Sequence, residues 1–344
     1  ASGRDPWFLV VCLVNPHDVM WFPADQASYQ AAHPDRRQAY MMIMESAVAE
    51  WKEEFGEEAP LAFPHEYDEV FDTLPPNHDD DLFTKPAVQR QWLWEEHKSG
   101  FYGKIERDDR RGWLRKLDYY WRLHQEGDRN LGTVLDALEA SGRWDDTTII
   151  FTSDHGDMTG AHGLRSKGPW MYEEIMHVPL YVRAPGITAP GTKTAALGTH
   201  VDLAKTIVSL AGVNGAEDLP GRDLGPVLAE PSTRVRDSVL FAQDQGWYES
   251  CLRLRYASRA IFDGRYKYVR YYGVGGGISS AGTVLPGPKE IDADADFDDQ
   301  EHEWYDHQED PHELVNLAND RGRRKELREW FARLKEEEAR EFGP

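Results

Sequence analysis

The sequence predicts an α/β fold with a mainly parallel sheet covered by helices on both faces, followed by a small antiparallel sheet and one helix. Two observations indicate the first part: short apolar runs of strand length end at turn residues, and amphipathic helical patterns alternate with them. A third, an Asp-Gly pair between two β-rich runs, indicates an antiparallel hairpin in the last third. A length of 344 residues with 40% hydrophobic content allows one large and one small domain. We expect these domains at 1–215 and 216–344.

Five segments are expected to build the first domain. Trp7–Val14 is a continuous apolar run and is interpreted as a buried parallel strand. A helix is predicted over about Trp113–Ala140, because leucine and valine recur there at i, i+3, i+4 and i+7 before a glycine stop signal. Strands are predicted at Thr147–Thr152 and Val178–Val182, and a second helix at Val201–Ala211.

The interval from about residue 19 to residue 111 is irregular and rich in Pro, Asp and Trp. Aromatic side chains in such an interval can line a substrate pocket or belong to the core. Both interpretations stay open for four tryptophans: Trp21, Trp51, Trp92 and Trp94.

The second domain is predicted as a hairpin followed by a helix. Arg259–Phe262 and Arg265–Arg270 flank Asp263 and Gly264, a strong two-residue hairpin signal. Apolar residues then recur at helical spacing within 321–341. We expect this amphipathic helix to pack on the antiparallel sheet.

Polar residues suited to metal and anion binding directly follow the strand Thr147–Thr152. Asp154 and His155 are adjacent, and a glycine-rich loop leads to Lys167, thirteen residues after Asp154. In an open α/β sheet the ligand crevice lies beyond the carboxyl ends of the strands. A divalent cation binds carboxylate oxygen and imidazole nitrogen, and a lysine ammonium binds sulfate or phosphate oxygens. The pattern predicts a metal-and-oxyanion site; the alternative is a strand-ending turn with Asp, His and Gly chosen for backbone reasons.

Composition excludes several classes of partner. Lys plus Arg number 39 against 61 for Asp plus Glu, which gives a net charge of −22. Such a chain repels nucleic acid and anionic membranes at long range, so neither is an expected partner. The longest strongly apolar run, Trp7–Val14, is far shorter than the ~18 residues of a spanning helix, and it lacks a signal-peptide cleavage site. The two cysteines indicate neither a disulfide framework nor a metal site.

Ordered blocks along most of the chain resemble one enzyme family. The chain is identified by them as a member of the sulfatase and phosphonate monoester hydrolase branch of the alkaline phosphatase superfamily. Blocks that follow each other in this order are far more specific than any one of them. They are Asn15-Pro16-His17-Asp18, Leu131–Gly142, Ser153–Gly156, Lys167-Gly168-Pro169, Val178–Gly186, Val201-Asp202-Leu203, Gly264–Tyr268 and Asp310–Leu317.

The resemblance implies an alkaline phosphatase-like fold and metal-dependent hydrolysis of sulfate esters. It makes Asp154 and His155 metal ligands, with Ca²⁺ as the first expectation. Mn²⁺ is the second, because imidazole is a less usual ligand for Ca²⁺ and a normal one for Mn²⁺. It places Lys167 and His17 against the transferred group near the leaving oxygen, with His17 a candidate general acid. His162 would contact the anion or brace the loop.

Part of the family pattern is absent from this sequence. Sulfatases carry a pair of metal-binding aspartates near the N-terminus, and a Cys-x-Pro-x-Arg segment whose Cys or Ser becomes the formylglycine nucleophile. Cys12 and Cys251 both lack proline at the second following position, and no serine fits. The chain is therefore expected to be the C-terminal part of the enzyme. Formylglycine is expected in a missing N-terminal segment or in a companion chain.

Two other functions stay open. His155 stands where many family members have asparagine, and histidine occurs there in some sulfatases and in phosphonate monoester hydrolases, so a phosphonate monoester or phosphodiester substrate is the first alternative. A non-catalytic sulfatase-like subunit is the second. The expected substrate is a small anionic ester. Homo-oligomerisation is left open, as is a cytoplasmic or periplasmic location, since any targeting signal would lie upstream of Ala1.

Overall fold

A computed structural model describes residues 6–24, 27–33, 70–99, 103–246, 255–272 and 292–342. The chain forms two compact units, Ala1–Leu74 with Phe101–Asp145, and Pro75–Gly100 with Asp146–Pro344. Segments of the two units alternate along the chain. The division into two contiguous domains at residue 215 stays a prediction.

The described helices and strands are few and mostly short. The α-helices are α1 Ala27–Ala32, α2 Ala87–Ser99, α3 Arg110–Ala140, α4 Glu173–Met176, α5 His200–Leu210, α6 Gly225–Ala229 and α7 Arg324–Phe342. The strands are β1 Ile149–Thr152, β2 Leu180–Arg183, β3 Val239–Gly246, β4 Arg255–Phe262, β5 Tyr266–Tyr272 and β6 Glu301–Asp306. Among the described residues, no helix is both long enough and apolar enough to cross a membrane.

The first unit is organised around α3, and the predicted helix is confirmed there. The carboxylate of Asp109 caps its N-terminus by accepting a hydrogen bond from the backbone N–H of Gly112 at 2.9 Å. Gly142, just past the end, has a φ of 72°, the left-handed conformation that terminates helices. One face of α3 packs in a buried cluster whose members are Val19, Phe22, Ile105, Trp113, Tyr119 and Leu123.

The prediction that Trp7–Val14 forms a buried strand is wrong for the described structure. These residues form no strand, and most are exposed: Phe8 keeps 72% and Val14 71% of its surface accessible. An apolar run indicates only that a segment gains free energy on burial. A strand also needs a neighbouring strand to satisfy its backbone groups, and the described residues supply none for this segment.

β1 and β2 confirm the two predicted strands but pair antiparallel, with Ile149 opposite Arg183 and Thr152 opposite Leu180. This pair therefore does not show the predicted parallel arrangement. Parallel neighbours need a crossover, usually a helix. The connection between β1 and β2 is instead a folded loop whose helical part is only α4 and one turn of 3₁₀ helix.

The predicted antiparallel sheet and final helix are confirmed. The strand order is β3-β4-β5-β6, and the turn between β4 and β5 contains Gly264 at a φ of 95°. Successive residues point to opposite faces of the sheet, so one face packs on α7 and the other meets the loop between β1 and β2. The α7 side includes Ile261, Tyr268, Trp304, Leu327 and Leu334. The other side includes Trp92, Tyr256, Ala260, Val269, Tyr271, Tyr305, Trp170 and Tyr172.

The tryptophans of the irregular interval have different environments. Trp92 is buried in the core next to the sheet, at 5% exposure, while Trp94 is 53% exposed. Trp21 is partly buried, and Trp51 lies outside the described residues. Trp92 therefore follows the core interpretation.

Candidate active site

Asp154 and His155 lie in the turn directly after β1. The carboxylate of Asp154 accepts a hydrogen bond from the backbone N–H of His155 at 2.9 Å, and the hydroxyl of Ser153 donates to the His155 carbonyl at 2.9 Å. His200, the first residue of α5, donates from Nε2 to the Ser153 carbonyl at 2.7 Å. The turn is thus held both internally and by the start of the following helix.

The side chains of Asp154 and His155 fit a shared metal ion. His155 Nδ1 donates to the Gly156 carbonyl at 2.8 Å, so in the neutral ring the proton is on Nδ1 and the Nε2 lone pair is available. Nε2 lies 3.6 Å from Asp154 Oδ2. Two ligands at ~2.1 Å from one metal are about 3 to 3.6 Å apart. Both side chains are accessible, so the pair can supply two ligands of a metal shell.

The pair does not make a complete metal site. Within the ranges given above, no group of three or more His, Cys, Asp or Glu side chains is arranged to hold a metal ion. Further ligands would have to come from elsewhere.

Lys167 contributes to the electrostatics of the pair. Desolvation acts to raise the pKa of Asp154, but the charge of His155, hydrogen bonds from backbone N–H groups and the charge of Lys167 outweigh it. The pKa of Asp154 therefore lies below its ordinary value of 3.8. The charge of Lys167 thus acts on Asp154, while a shared site of Asp154, His155 and Lys167 stays a prediction.

The loop from Gly156 to Ser166 closes on itself and so returns Ser166, which directly precedes Lys167, to Asp157 and Met158. The Met158 N–H donates to the Ser166 carbonyl at 3.3 Å, and the Gly160 N–H to the Leu164 carbonyl at 2.7 Å. Gly160 has a φ of 100°, a conformation that side-chain-bearing residues rarely adopt.

Gly156 is required for close packing and not for a left-handed backbone conformation. Its N–H donates to the Ile175 carbonyl at 2.9 Å, and a Cβ at this position would lie 1.8 Å from the Glu174 carbonyl oxygen. Residues of α4 therefore pack directly against the turn that contains Asp154 and His155, and any residue larger than glycine at position 156 would push them away.

His162 is fully buried in the middle of the loop. Its Nδ1 donates to Asp80 Oδ2 at 2.7 Å, and its ring stacks on Tyr172 with centroids 3.9 Å apart. This environment favours the loop-bracing alternative over contact with an anion.

His17 belongs to the other compact unit. It begins a short 3₁₀ helix and keeps 45% of its side chain exposed, with Nδ1 3.3 Å from Asp18 Oδ1. Asn15 anchors this segment by donating to Glu126 of α3 at 3.0 Å. The imidazole of His17 is therefore accessible to solvent.

Sequence reasoning missed Asp157 and Asp80. Asp157 Oδ1 accepts hydrogen bonds from the Thr159 N–H at 2.9 Å and the Ser166 N–H at 3.2 Å, closing the neck of the loop. An Asp two residues before Thr in a glycine-rich turn is a recognisable signal for the first bond. Asp80 pairs with His162 across 82 residues, a contact that no local pattern indicates.

Two blocks of the resemblance meet in a buried ion pair. Lys267 contacts Glu313 Oε1, and Glu313 Oε2 accepts from the backbone N–H of Glu173 at 2.7 Å. Burial acts to raise the pKa of Glu313, but Lys267 and the hydrogen bond with His307 lower it to about 2. The carboxylate therefore holds the start of α4, six residues beyond Lys167.

Comparison with known proteins gives a family for the arrangement. The sulfatase family model matches residues 1–213, and a model of the N-sulphoglucosamine sulphohydrolase C-terminal region matches residues 160–276. An uncharacterized sulfatase, YidJ, of Escherichia coli K12 is 33% identical over 165 residues, which are 48% of this chain and 31% of that protein. An N-acetylglucosamine-6-O-sulfatase of Bacteroides thetaiotaomicron is 41% identical over 101 residues, 29% of this chain and 18% of that protein.

Solved structures share the fold. A 2-O GAG sulfatase superposes with a TM-score of 0.65 at 20% identity, over 95% of this chain and 58% of that one. A phosphonate monoester hydrolase of Silicibacter pomeroyi superposes with a TM-score of 0.57 at 22% identity, over 78% of this chain and 50% of that one. Both likenesses concern the fold alone.

The chain spans a third or less of the length of the curated relatives named above. The family assignment does not depend on those alignments, because one family model accounts for residues 1–213 out of 344. By that match, which contains the Asp154, His155 and Lys167 site, the chain belongs to the sulfatase family.

Proposed function

We propose that this protein takes part in the metal-dependent hydrolysis of small sulfate esters. The observation that supports the proposal is the pairing of Asp154 with His155 after β1, together with the charge of Lys167, which helps to lower the pKa of Asp154. Relatives named as sulfatases support the reaction class. The polypeptide described here would supply only part of the active site.

Asp154 and His155 would hold one divalent metal, with Ca²⁺ the first expectation and Mn²⁺ the second. A metal bound there would polarise and neutralise the oxygens of the ester. Lys167 binds the same oxygens through its ammonium and so stabilises charge that develops during transfer, which is usually the largest catalytic term. His17 stays the candidate general acid that the resemblance implies, and His162 braces the loop.

The nucleophile is proposed to lie on polypeptide outside this chain, either an upstream segment or a companion chain, with formylglycine expected there. The exposed apolar residues at 7–14 support this, because a contiguous apolar surface of the kind that Phe8 and Leu9 form is ordinarily covered by other polypeptide. We further propose that the added polypeptide completes the mainly parallel sheet, with helices on both faces, as in the alkaline phosphatase-like fold.

An activity assay on the chain with and without that polypeptide tests the proposal. Residues 1–344 and the completed enzyme would be assayed with 4-nitrophenyl sulfate, N-acetylglucosamine 6-sulfate and a phosphonate monoester, adding Ca²⁺ and Mn²⁺ in turn. We expect no turnover by the chain alone and metal-dependent turnover by the completed enzyme. Turnover by the chain alone would show that a nucleophile is present within it, and the proposal would be abandoned.

The same assay separates the alternatives. His155 leaves a phosphonate monoester or phosphodiester hydrolase as the first alternative, because histidine at this position occurs both in some sulfatases and in phosphonate monoester hydrolases. A higher kcat/KM on the phosphonate than on both sulfates would establish that alternative. Metal binding without turnover in the completed enzyme would establish a non-catalytic subunit. Compartment and homo-oligomerisation stay predictions.

A further inference from the structure

The loop that leads to Lys167 contains three non-glycine residues in the left-handed backbone region. They are Thr159, His162 and Ser166, with φ values of 38°, 53° and 59°. This conformation is unfavourable for side-chain-bearing residues, most of all for a β-branched one such as Thr159. Strained residues persist only where their surroundings hold them, and they concentrate at functional sites. The shape of this loop therefore depends on fixed partners.

One carboxylate holds the first and the last of the strained residues. Asp157 Oδ1 accepts hydrogen bonds from the Thr159 N–H at 2.9 Å, the Thr159 hydroxyl at 2.7 Å and the Ser166 N–H at 3.2 Å. Hydrogen bonds to an ionised carboxylate are stronger than those to a neutral acceptor. Since Lys167 follows Ser166 directly, Asp157 fixes the backbone from which Lys167 projects.

A second carboxylate, from a distant part of the chain, holds the middle residue. Asp80 Oδ2 accepts from His162 Nδ1 at 2.7 Å and lies 3.6 Å from Lys85 Nζ, while Asp80 Oδ1 accepts from the Leu82 N–H at 3.0 Å. Burial acts to raise the pKa of Asp80, but the bond to His162 and the charge of Lys85 lower it overall. The imidazole is also fixed from one side by stacking on Tyr172.

We propose that Asp157 and Asp80 are positioning residues that hold the strained loop so that Lys167 lies over the metal-ligand pair. Each strained residue has a carboxylate partner, and the two carboxylates come from inside the loop and from outside it. The consequence for the reaction rests on the proposed function, whereas the consequence for the loop does not.

Alanine variants with a matched control test the loop. Asp157→Ala and Asp80→Ala would be compared with Asp81→Ala, since Asp81 is an exposed neighbour whose carboxylate accepts only a local bond, from the Phe83 N–H at 2.9 Å, among the hydrogen bonds described. Amide hydrogen exchange would be followed in 157–167 and in β4 and β5. We expect exchange at least ~10-fold faster in the loop for both variants, unchanged exchange in the strands, and no change for Asp81→Ala.

Two further variants separate positioning from general stability. Asp157→Asn keeps an acceptor oxygen and is expected to have a smaller effect than Asp157→Ala. Ser166→Gly, added to Asp157→Ala, removes the cost of the left-handed conformation and is expected to restore part of the exchange protection. If Asp157→Ala does not fold, Asp157→Asn is compared instead with the double variant that combines Asp157→Asn and Ser166→Gly.

Kinetics on the completed enzyme test the consequence for Lys167. We expect kcat to fall at least ~10-fold in Asp157→Ala and Asp80→Ala with KM within about threefold, because a displaced group loses transition-state contacts. Unchanged loop exchange in both variants, or faster exchange with wild-type kcat, would overturn the inference. If the wild-type enzyme turns over none of the esters, the proposed function fails, and the exchange data alone then decide whether the carboxylates hold the loop.

Discussion

At the scale of single residues, the proton position on His155 decides what the metal-ligand pair can do. Nδ1 donates a hydrogen bond to the Gly156 carbonyl, so in the neutral ring Nε2 lies beside Asp154 with its lone pair available. A hydrogen bond to the distal nitrogen commonly orients metal-binding histidines. In this chain the backbone of the next residue provides it.

Removing the carboxylate should remove the metal. We expect Asp154→Ala to abolish bound metal and activity together in the completed enzyme, because a lone imidazole is a weak ligand for a hard cation. Elemental analysis of the purified variant measures this. The matched control is Asp136→Ala on the exposed face of α3, which should keep full metal content. Full occupancy in Asp154→Ala would remove the assignment.

Lys167 should matter for the reaction more than for the fold. Lys167→Ala is expected to lower kcat/KM by roughly 10²-fold, the scale of losing one charge-stabilising donor, with Tm nearly unchanged because the side chain is partly exposed. Lys193→Ala, at an exposed loop position, is the control and should behave as wild type. Wild-type turnover by Lys167→Ala on both a sulfate and a phosphonate ester would contradict this role.

At the scale of elements, Glu313 connects the antiparallel sheet to the start of α4. Its carboxylate contacts Lys267 of β5 and accepts from the Glu173 N–H, and Lys85 Nζ donates to the Glu313 carbonyl at 2.5 Å. All of these groups except Glu173 are buried. Removing one partner of a buried pair costs more than the pair itself contributes, since the other charge is left unpaired.

Glu313→Gln should therefore be strongly destabilising. We expect a loss of about 3 to 5 kcal/mol in the free energy of unfolding, because Lys267 would be left buried without its counter-charge. Urea denaturation of the variant against wild type measures the loss. Glu309→Gln, an exposed neighbour, should change stability by less than about 0.5 kcal/mol. Equal stability of the two variants would show that the pair is dispensable.

The same carboxylate predicts an acid-dependent loss of stability. The pKa of Glu313 is about 2 in the folded chain against an ordinary 4.5, so its contribution is fully present above pH 4.5 and is lost as pH falls towards 2. This shift corresponds to on the order of 3 kcal/mol. The difference in unfolding free energy between wild type and Glu313→Gln should therefore shrink between pH 5 and pH 3. A difference that stays constant over that range would contradict the assignment.

At the scale of the whole molecule, the exposed apolar run at 7–14 makes the isolated chain prone to self-association. Contiguous exposed apolar surface of this kind ordinarily marks an interaction site or an aggregation liability. We expect replacement of Phe8 and Val10 by serine to reduce aggregation of residues 1–344, measured by light scattering. Val213→Ser, at an isolated exposed position, is the control. Equal scattering by all variants would place the liability elsewhere.

The sequence by itself determined the elements whose signals are local. Helix α3, with its Asp109 cap, and the Asp263-Gly264 hairpin depend on spacing and turn chemistry within a few residues. The ordered motifs of the sequence also predict that Asp154 and Lys167 share one site, since a strand end and a tight glycine loop connect them directly; this stays a prediction.

Tertiary structure alone decided the contacts between distant segments. Trp7–Val14 has the composition of a buried strand, yet exposure depends on whether another strand is there to pair with it. The sequence left contact of His162 with an anion open, whereas in the structure His162 is buried and donates a hydrogen bond to Asp80, 82 residues away. Local patterns specify backbone shape and the burial that each residue favours, whereas the partner that satisfies a buried polar group is chosen by packing of the whole chain.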